Sequence, residues 1–137
     1  MRGTWRQLQL KRIAEIRNGA TPSSSEPEFW DGDIIWVTPD DLNSIDGKEI
    51  ADSRRKITIT GYQNCGVSMA PANSVVLSTR APIGHLAIAT VPVTINQGCR
   101  ILTPKDLDTT FLYYALKHQV PYLQALGQGT TFQELSG

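Results

Sequence analysis

The feature that most constrains the fold is the stretch 74–102, which holds three short apolar runs separated by Pro and Gly. Each run is rich in β-branched residues and too short for a typical helix, a pattern that is typical of strands in a buried sheet. Residues 80–84 lie between the first two runs. Pro82 fixes its own φ and Gly84 permits a positive φ, so we predict a tight hairpin there. The stretch therefore predicts a three-stranded meander against which the remaining chain packs.

The composition describes an ordinary globular domain with an uneven charge distribution. The 137 residues fit one domain, with 40% hydrophobic and 19% charged residues and a formal net charge of zero. Neutrality weakens a simple argument for DNA binding, because affinity for phosphates comes largely from Lys and Arg. However, residues 18–47 hold seven acidic and no basic residues, whereas basic residues cluster at 2–17 and 48–56. A neutral total can therefore hide one acidic and one basic face.

The cysteines and the hydropathy of the chain indicate the cellular compartment of the protein. Cys65 and Cys99 form no CxxC pair, so we interpret them as buried thiols in a reducing environment and expect neither a metal site nor a disulfide. The chain opens without the apolar core of a signal peptide, and no apolar run reaches the ~20 residues of a membrane span. We expect a soluble, cytoplasmic protein without membrane contact.

The segments flanking the stretch 74–102 predict short helices and strands. We predict a strand at 34–37, then a helix that Thr38 caps and Pro39 begins. A second, amphipathic helix is predicted after the cap residue Asp108; its apolar side would consist of Phe111, Leu112, Ala115 and Leu116. The fold class is therefore α+β, with a mixed, mostly antiparallel twisted sheet and short helices.

Three weaker local signals complete the prediction. Ser25 with Glu28 forms a possible capping box for a single helical turn. The dipeptide Asp31-Gly32 predicts a turn. Residues 48–59 are predicted to be extended, with Ile57 and Ile59 on one face.

One arrangement imitates a metal-dependent nuclease. Asp40, Asp46 and Lys48 follow the PD…D-x-K order, in which two carboxylates hold Mg²⁺ and a Lys activates water. The spacing argues against this interpretation, since five residues barely make a turn. A capped helical turn and a polar loop explain the same residues. No nucleotide-binding Gly-rich loop and no catalytic triad can be assembled from the rest of the sequence, so we expect no cofactor.

The densest positive patch lies at 54–56, with Lys48 preceding it. On an extended segment Arg54 and Lys56 point one way and Arg55 the other. Such a patch can be a charged edge strand, or it can bind DNA, where Arg grips guanine and Lys holds phosphate. Arg80 stands at the mouth of the predicted hairpin. The three Trp, at 5, 30 and 36, are interpreted as core or lid residues.

Six segments, in this order, resemble a known family: GATPSSSEPEFWDGDIIWVTPDDL, ITITG, SVVLSTRAPIG, TINQG, FLYYAL and GQGTTFQELS. They resemble the target recognition domain of the specificity subunit of type I restriction–modification systems. The resemblance implies an α+β domain that reads one half of a bipartite double-stranded DNA target without being an enzyme. It also implies partners, namely the modification (methyltransferase) subunits and the restriction subunit.

The resemblance also bears on domains and contacts. We expect a recognition domain at 1–129 and the start of a truncated spacer helix at 130–137. TINQG is expected to be scaffold, and specificity is expected to come from segments between the family motifs, above all 43–56 and 61–73. A base-edge role is expected for Arg54 or Arg80 and a phosphate role for Lys56. Arg55 is expected to point away from the DNA-facing side, which would make it an outward-facing internal control. The predicted DNA contacts are Thr21, Ser23, Lys48, Arg54, Lys56 and Arg80.

Two alternatives remain at this point. The domain could belong to a single-chain restriction–methyltransferase enzyme, in which it would follow catalytic motifs that are absent from this sequence. It could also be a stand-alone metal nuclease that uses Asp40, Asp46 and Lys48.

Overall fold

A computed structural model describes residues 12–80 and 83–121. The strands are β1 Ala14–Asn18, β2 Trp30–Val37, β3 Glu49–Ile50, β4 Arg55–Ile57, β5 Ser74–Ser78, β6 Leu86–Ala89, β7 Thr94–Ile95 and β8 Cys99–Pro104. The helices are α1 Pro39–Ser44, α2 Ile59–Cys65 and α3 Thr109–His118, and a single 3₁₀ turn covers Pro27–Phe29. Within the described ranges, no helix is long and apolar enough to cross a membrane.

The strands form two mixed sheets. The larger has the order β1-β8-β5-β6-β3 and the smaller has the order β4-β2-β7. Pairing is antiparallel except between β3 and β6 and between β2 and β7. The predicted α+β class with mostly antiparallel pairing is confirmed, although the strands divide between two sheets.

The larger sheet is buried on both faces, and strand alternation explains how. In β5, Val75 and Leu77 pack with Leu112 and Leu116 of α3, whereas Val76 points to the opposite face. That opposite face packs against β7 and α1. A third cluster, on the smaller sheet beside α2, contains Trp30, Trp36, Ile57 and Val67. The elements near α1 and the smaller sheet are thus separated from α3 by the larger sheet.

The predicted meander is only half right. β5 and β6 form the expected antiparallel hairpin. The third apolar run divides, because β7 pairs with β2 in the smaller sheet while β8 returns to pair with β5. Residues 96–98 form the turn that carries the chain between the sheets, and we call it the 96–98 turn. The amide of Asn96 donates to Val37 O (3.0 Å) and the amide of Gly98 donates to Asn96 Oδ1 (2.8 Å).

Two local predictions near β2 are wrong. The 3₁₀ turn follows Glu26 and has no side-chain cap, so Ser25 and Glu28 do not form a capping box. Asp31-Gly32 is not a turn but an irregularity inside β2, where Asp31 has φ 63°. Trp30 and Ile34 both pair with Ile57, so the residues between them bulge out of the ladder. The bulge needs the left-handed backbone conformation that also makes such dipeptides common in turns.

The end of the extended segment is also different from the prediction. The Thr58 hydroxyl accepts from the amide of Gly61 (3.0 Å) and caps α2. Ile57 therefore ends a strand and is fully buried, whereas Ile59 begins a helix and is 60% exposed. The two do not share a face, because a cap residue lies between them.

Helix α3 begins as predicted, with the Asp108 carboxylate accepting from the amide of Phe111 at 3.0 Å. Its buried side consists of Leu112, Tyr113 and Leu116, while Phe111 is 61% exposed. The predicted apolar side is thus rotated, because Tyr113 replaces Phe111 and Ala115 in the core.

Asp108→Ala should lower the free energy of unfolding by about 1 kcal/mol, since it removes the cap of α3. Urea denaturation with a fluorescence readout measures this. Asp46→Ala is the matched control, because it removes an exposed carboxylate that caps no helix. Equal effects of the two changes would contradict the capping role.

Some expectations lie outside the described residues. These are the location of Trp5, the tip of the hairpin at 81–82, and the start of the spacer helix at 130–137. The domain limits 1–129 and 130–137 therefore stay a prediction.

Candidate nucleic-acid interface

A groove lies where β2 ends and α1 begins, facing the segment that enters β4. Its volume is about 340 Å³. The buried members of its lining are Trp36, Pro39 and Asp41, with Thr38 half-buried; the more exposed members are Asp40, Arg54, Arg55 and Asn96. We call this feature the β2–α1 groove. It brings two guanidinium groups, the buried carboxylate of Asp41, the exposed carboxylate of Asp40 and one amide to a single opening.

The local sequence explains how the groove is built. Thr38 and Asp41 form a capping box, in which the Asp41 carboxylate accepts from the amide of Thr38 at 2.9 Å. Its other oxygen accepts from the amide of Arg54 at 3.0 Å. The buried Asp41 side chain therefore ties α1 to the segment before β4 and fixes the backbone position of Arg54.

Arg55 is held by aromatic stacking. Its guanidinium lies 3.8 Å from the ring centroid of Trp30 and 6.0 Å from that of Trp36, within the range of cation–π attraction. The two Trp rings meet edge to face at 5.1 Å. Indole N–H groups anchor them, with Trp30 donating to Ser23 O and Trp36 to Ala20 O, each at 3.0 Å. Both Trp are buried, as predicted.

The predicted orientation of the basic patch is wrong in one respect. Arg55 does not turn away from Arg54, since both line the β2–α1 groove. The strand starts only at Arg55, so Arg54 precedes the pleat and strand alternation does not apply to it. Arg55 therefore cannot serve as an outward-facing control.

Lys56 is engaged elsewhere. Its ammonium pairs with Asp52 at 2.7 Å, and this contact, with the amide of Ser53, holds the pKa of the Asp52 carboxyl below its usual value. Asp52 is largely exposed and Lys56 is half-buried, so solvent screens the pair and it adds little to stability. Lys56 is not part of the groove lining.

The 96–98 turn connects the groove to the polar loop before β2. The Thr21 hydroxyl donates to Gln97 Oε1. The Thr94 hydroxyl donates to Ile35 O at 2.8 Å, so this part of TINQG is structural, while Asn96 also lines the groove. Ser23 exchanges a hydrogen bond with Ser25 at 2.9 Å and lies in the same loop as Thr21.

Arg80 and Arg100 both donate hydrogen bonds to the 96–98 turn. The Arg80 amide donates to Gly98 O at 3.2 Å, and Arg100 Nη1 donates to Cys99 O at 2.9 Å. Burial, then the nearby charge of Arg80, lowers the pKa of Arg100. Within the described ranges neither guanidinium has an acidic partner, and Arg100 Nε has no hydrogen bond. No sequence pattern selects Arg100, which is a single charged residue inside an apolar run.

The remaining candidates do not join this surface. Lys48 lies over the ring of Tyr114 of α3, 6.0 Å from its centroid, and is therefore beside the helix on the other face of the larger sheet. Asp46 and Lys48 do not line the β2–α1 groove with Asp40. In the part of the chain that the structure describes, no cluster of three His, Cys, Asp or Glu could hold a metal ion.

Cys99 is buried beneath the 96–98 turn, whereas Cys65 is only half-buried, so one of the two thiols departs from the prediction. Burial, with the nearby Asp41 carboxylate, raises the pKa of Cys99 to about 12. The thiolate is the reactive form, so Cys99 should resist iodoacetamide at pH 8 in the folded protein and react on denaturation. Peptide mapping by mass spectrometry measures this, and rapid native alkylation of Cys99 would contradict the buried position.

The chain is a small α+β domain, and the β2–α1 groove is its candidate interface with nucleic acid. The chain belongs to the family described as "Type I restriction modification DNA specificity domain", which matches residues 2–137.

Two curated proteins are similar to this chain along most of its length. It is 40% identical over 136 residues to the type I restriction enzyme MjaIX specificity subunit of Methanocaldococcus jannaschii, covering 97% of this chain and 32% of that protein. It is 37% identical over 113 residues to the EcoprrI specificity subunit of Escherichia coli, covering 78% and 27%. The chain thus spans about a third of the length of these curated relatives.

Solved structures share the fold. The HsdS subunit from Thermoanaerobacter tengcongensis superposes with a TM-score of 0.67 at 23% identity, over 93% of this chain and 30% of that one. A chain from a study of complex assembly and conformational transition of the type I R-M system gives a TM-score of 0.66 at 25% identity, over 83% and 27%.

Proposed function

We propose that this domain recognises one half of a bipartite double-stranded DNA target, as part of a type I specificity subunit. Methylation and cleavage would be carried out by partner modification and restriction subunits. The observation that carries the proposal is the β2–α1 groove, in which Arg54 and Arg55 have no acidic partner within the described ranges. Membership of the specificity-domain family supports it.

The geometry suggests a division of labour along one surface. Arg54 and Arg55 lie in a groove whose walls restrict approach, which suits the edges of bases. Arg80 and Arg100 flank the 96–98 turn, where two uncompensated positive charges suit a phosphate. Thr21, which donates to Gln97 of the same turn, and Ser23 of the same loop would supply neutral hydrogen bonds to the backbone of DNA. Lys56 would contribute less, because Asp52 competes for its charge, and Lys48 would contribute least.

The formal net charge of zero also fits a domain that works inside a complex. Affinity for DNA rises with the number of phosphates neutralised, and this domain offers few cations for that purpose. We expect the modification subunits to supply much of the phosphate binding. The matched relatives are named as specificity subunits, which favours this arrangement over a single-chain enzyme.

Binding to duplexes with randomised half-sites tests the proposal. The full-length specificity subunit, assembled with its modification subunits, should enrich one sequence at the half-site that this domain contacts. Exchanging the domain for that of a relative should change this half of the motif only. Enrichment of the same motif after the exchange would contradict the proposal.

The absence of catalysis is tested separately. The protein, incubated with DNA, Mg²⁺ and S-adenosylmethionine but without partner subunits, should neither methylate nor cleave. Turnover that Asp40→Ala abolishes would overturn the recognition-only proposal and revive the nuclease.

A further inference from the structure

We infer that the β2–α1 groove reads a G·C base pair, with Arg55 donating to the guanine and Asp40 accepting from the cytosine amino group. The inference rests on the proposed function, and it names the chemistry that the groove can distinguish. It follows from how Arg55 is held and from the presence of an unpaired carboxylate beside it.

Arg55 is positioned for a bidentate contact. Stacking on Trp30 at 3.8 Å occupies a face of the guanidinium, so its N–H groups remain available around the edge. Within the described ranges no acidic side chain pairs with them. A guanidinium edge matches O6 and N7 of guanine in the major groove, the commonest specific contact of Arg with DNA. Because stacking restricts the side chain before DNA arrives, less conformational entropy is lost on binding.

Asp40 determines which chemical group of DNA the groove can bind. A carboxylate on a DNA-binding surface repels phosphates, so its presence in the same groove as Arg54 and Arg55 disfavours a phosphate site. It has no ion pair within the described ranges and is exposed, so its oxygens are free to accept. The group on a base edge that a carboxylate accepts from is an amino group, and cytosine N4 lies beside guanine O6 in the same pair.

The backbone around the two side chains is fixed. Asp41, next to Asp40, bonds the amide of Arg54, next to Arg55, at 3.0 Å. The capping box fixes Asp41 in turn. The donor and the acceptor are thus carried by residues that adjoin a single buried connection, which holds their backbones in a fixed relative position.

The test determines which half-site sequence each complex selects from random DNA. It compares the wild-type complex with complexes that carry Arg55→Lys, Asp40→Asn or the control Arg12→Ala. Arg55→Lys keeps the charge but loses the planar guanidinium, and with it the bidentate fork, so it separates base reading from phosphate attraction. The complex consists of the full-length specificity subunit with its modification subunits, and the probe is a randomised DNA duplex.

The wild-type motif should contain a G·C pair that Arg55→Lys and Asp40→Asn each relax, with a roughly 5- to 150-fold loss of discrimination at that position alone. Arg12→Ala should leave the motif unchanged. A wild-type motif without a G·C pair, or unchanged discrimination in Arg55→Lys, would overturn the inference while leaving DNA recognition intact. A wild-type complex that enriches no sequence at this half-site would remove both the inference and the proposed function.

Discussion

Gly19→Ala should lower the free energy of unfolding by about 3 kcal/mol, near the upper end of what overpacking usually costs. A Cβ at Gly19 would overlap the carbonyl oxygen of Asn96 and lie 2.6 Å from that of Ile95. Both neighbours are main chain, so no flexible side chain can move aside. The amide of Ala20 also donates to Ile95 O at 3.1 Å, which holds the two segments together.

Gly47→Ala is the matched control. Nothing lies within 4 Å of a Cβ at Gly47, whose φ is +97°, so this change should cost only backbone strain of about 1 kcal/mol. Urea midpoints of both variants measure the difference. Equal midpoints would mean that the segment before the polar loop does not lie against the 96–98 turn.

The double change Arg54→Ala/Arg55→Ala should weaken specific DNA binding by roughly 150-fold, about 3 kcal/mol, in the assembled methyltransferase. The β2–α1 groove would lose both of its guanidinium groups, and with them its base contacts. The dependence of binding on salt should also fall, because fewer cations displace counterions.

The control for this change is Arg12→Ala/Lys117→Ala, which removes the same charge at exposed positions outside the groove. Fluorescence anisotropy with the selected duplex and with a scrambled one measures both variants. If the control loses as much specific affinity as the groove variant, net charge rather than the groove governs binding.

Local signals explain what the sequence predicted well. The Thr38-Pro39 start of α1 and the Asp108 cap of α3 depend on hydrogen bonds within three residues, which the sequence displays directly. The hairpin of β5 and β6 likewise depends on a short connection. The family resemblance implied the same fold class, which the structure confirms; its division between scaffold and variable segments stays a prediction.

Long-range contacts explain what the sequence did not show. Arg55 stacks on Trp30, 25 positions earlier, only because β4 pairs with β2. The third apolar run divides because β7 pairs with β2. The bulge at Asp31 forms because Trp30 and Ile34 both pair with Ile57. Arg100 is a candidate only because it lies near Arg80, at the connection between the two sheets. Neither alternation nor spacing contains this information.

Photocrosslinking tests the central claim most directly, namely that DNA lies against the β2–α1 groove and the 96–98 turn. Gln97 is exposed and lies between Asn96 of the groove and Arg100, whereas Lys117 is on α3, across the larger sheet. A photoreactive residue at 97 in the assembled complex should crosslink to the target duplex, and one at 117 should not. Crosslinking at 117 with none at 97 would contradict the account.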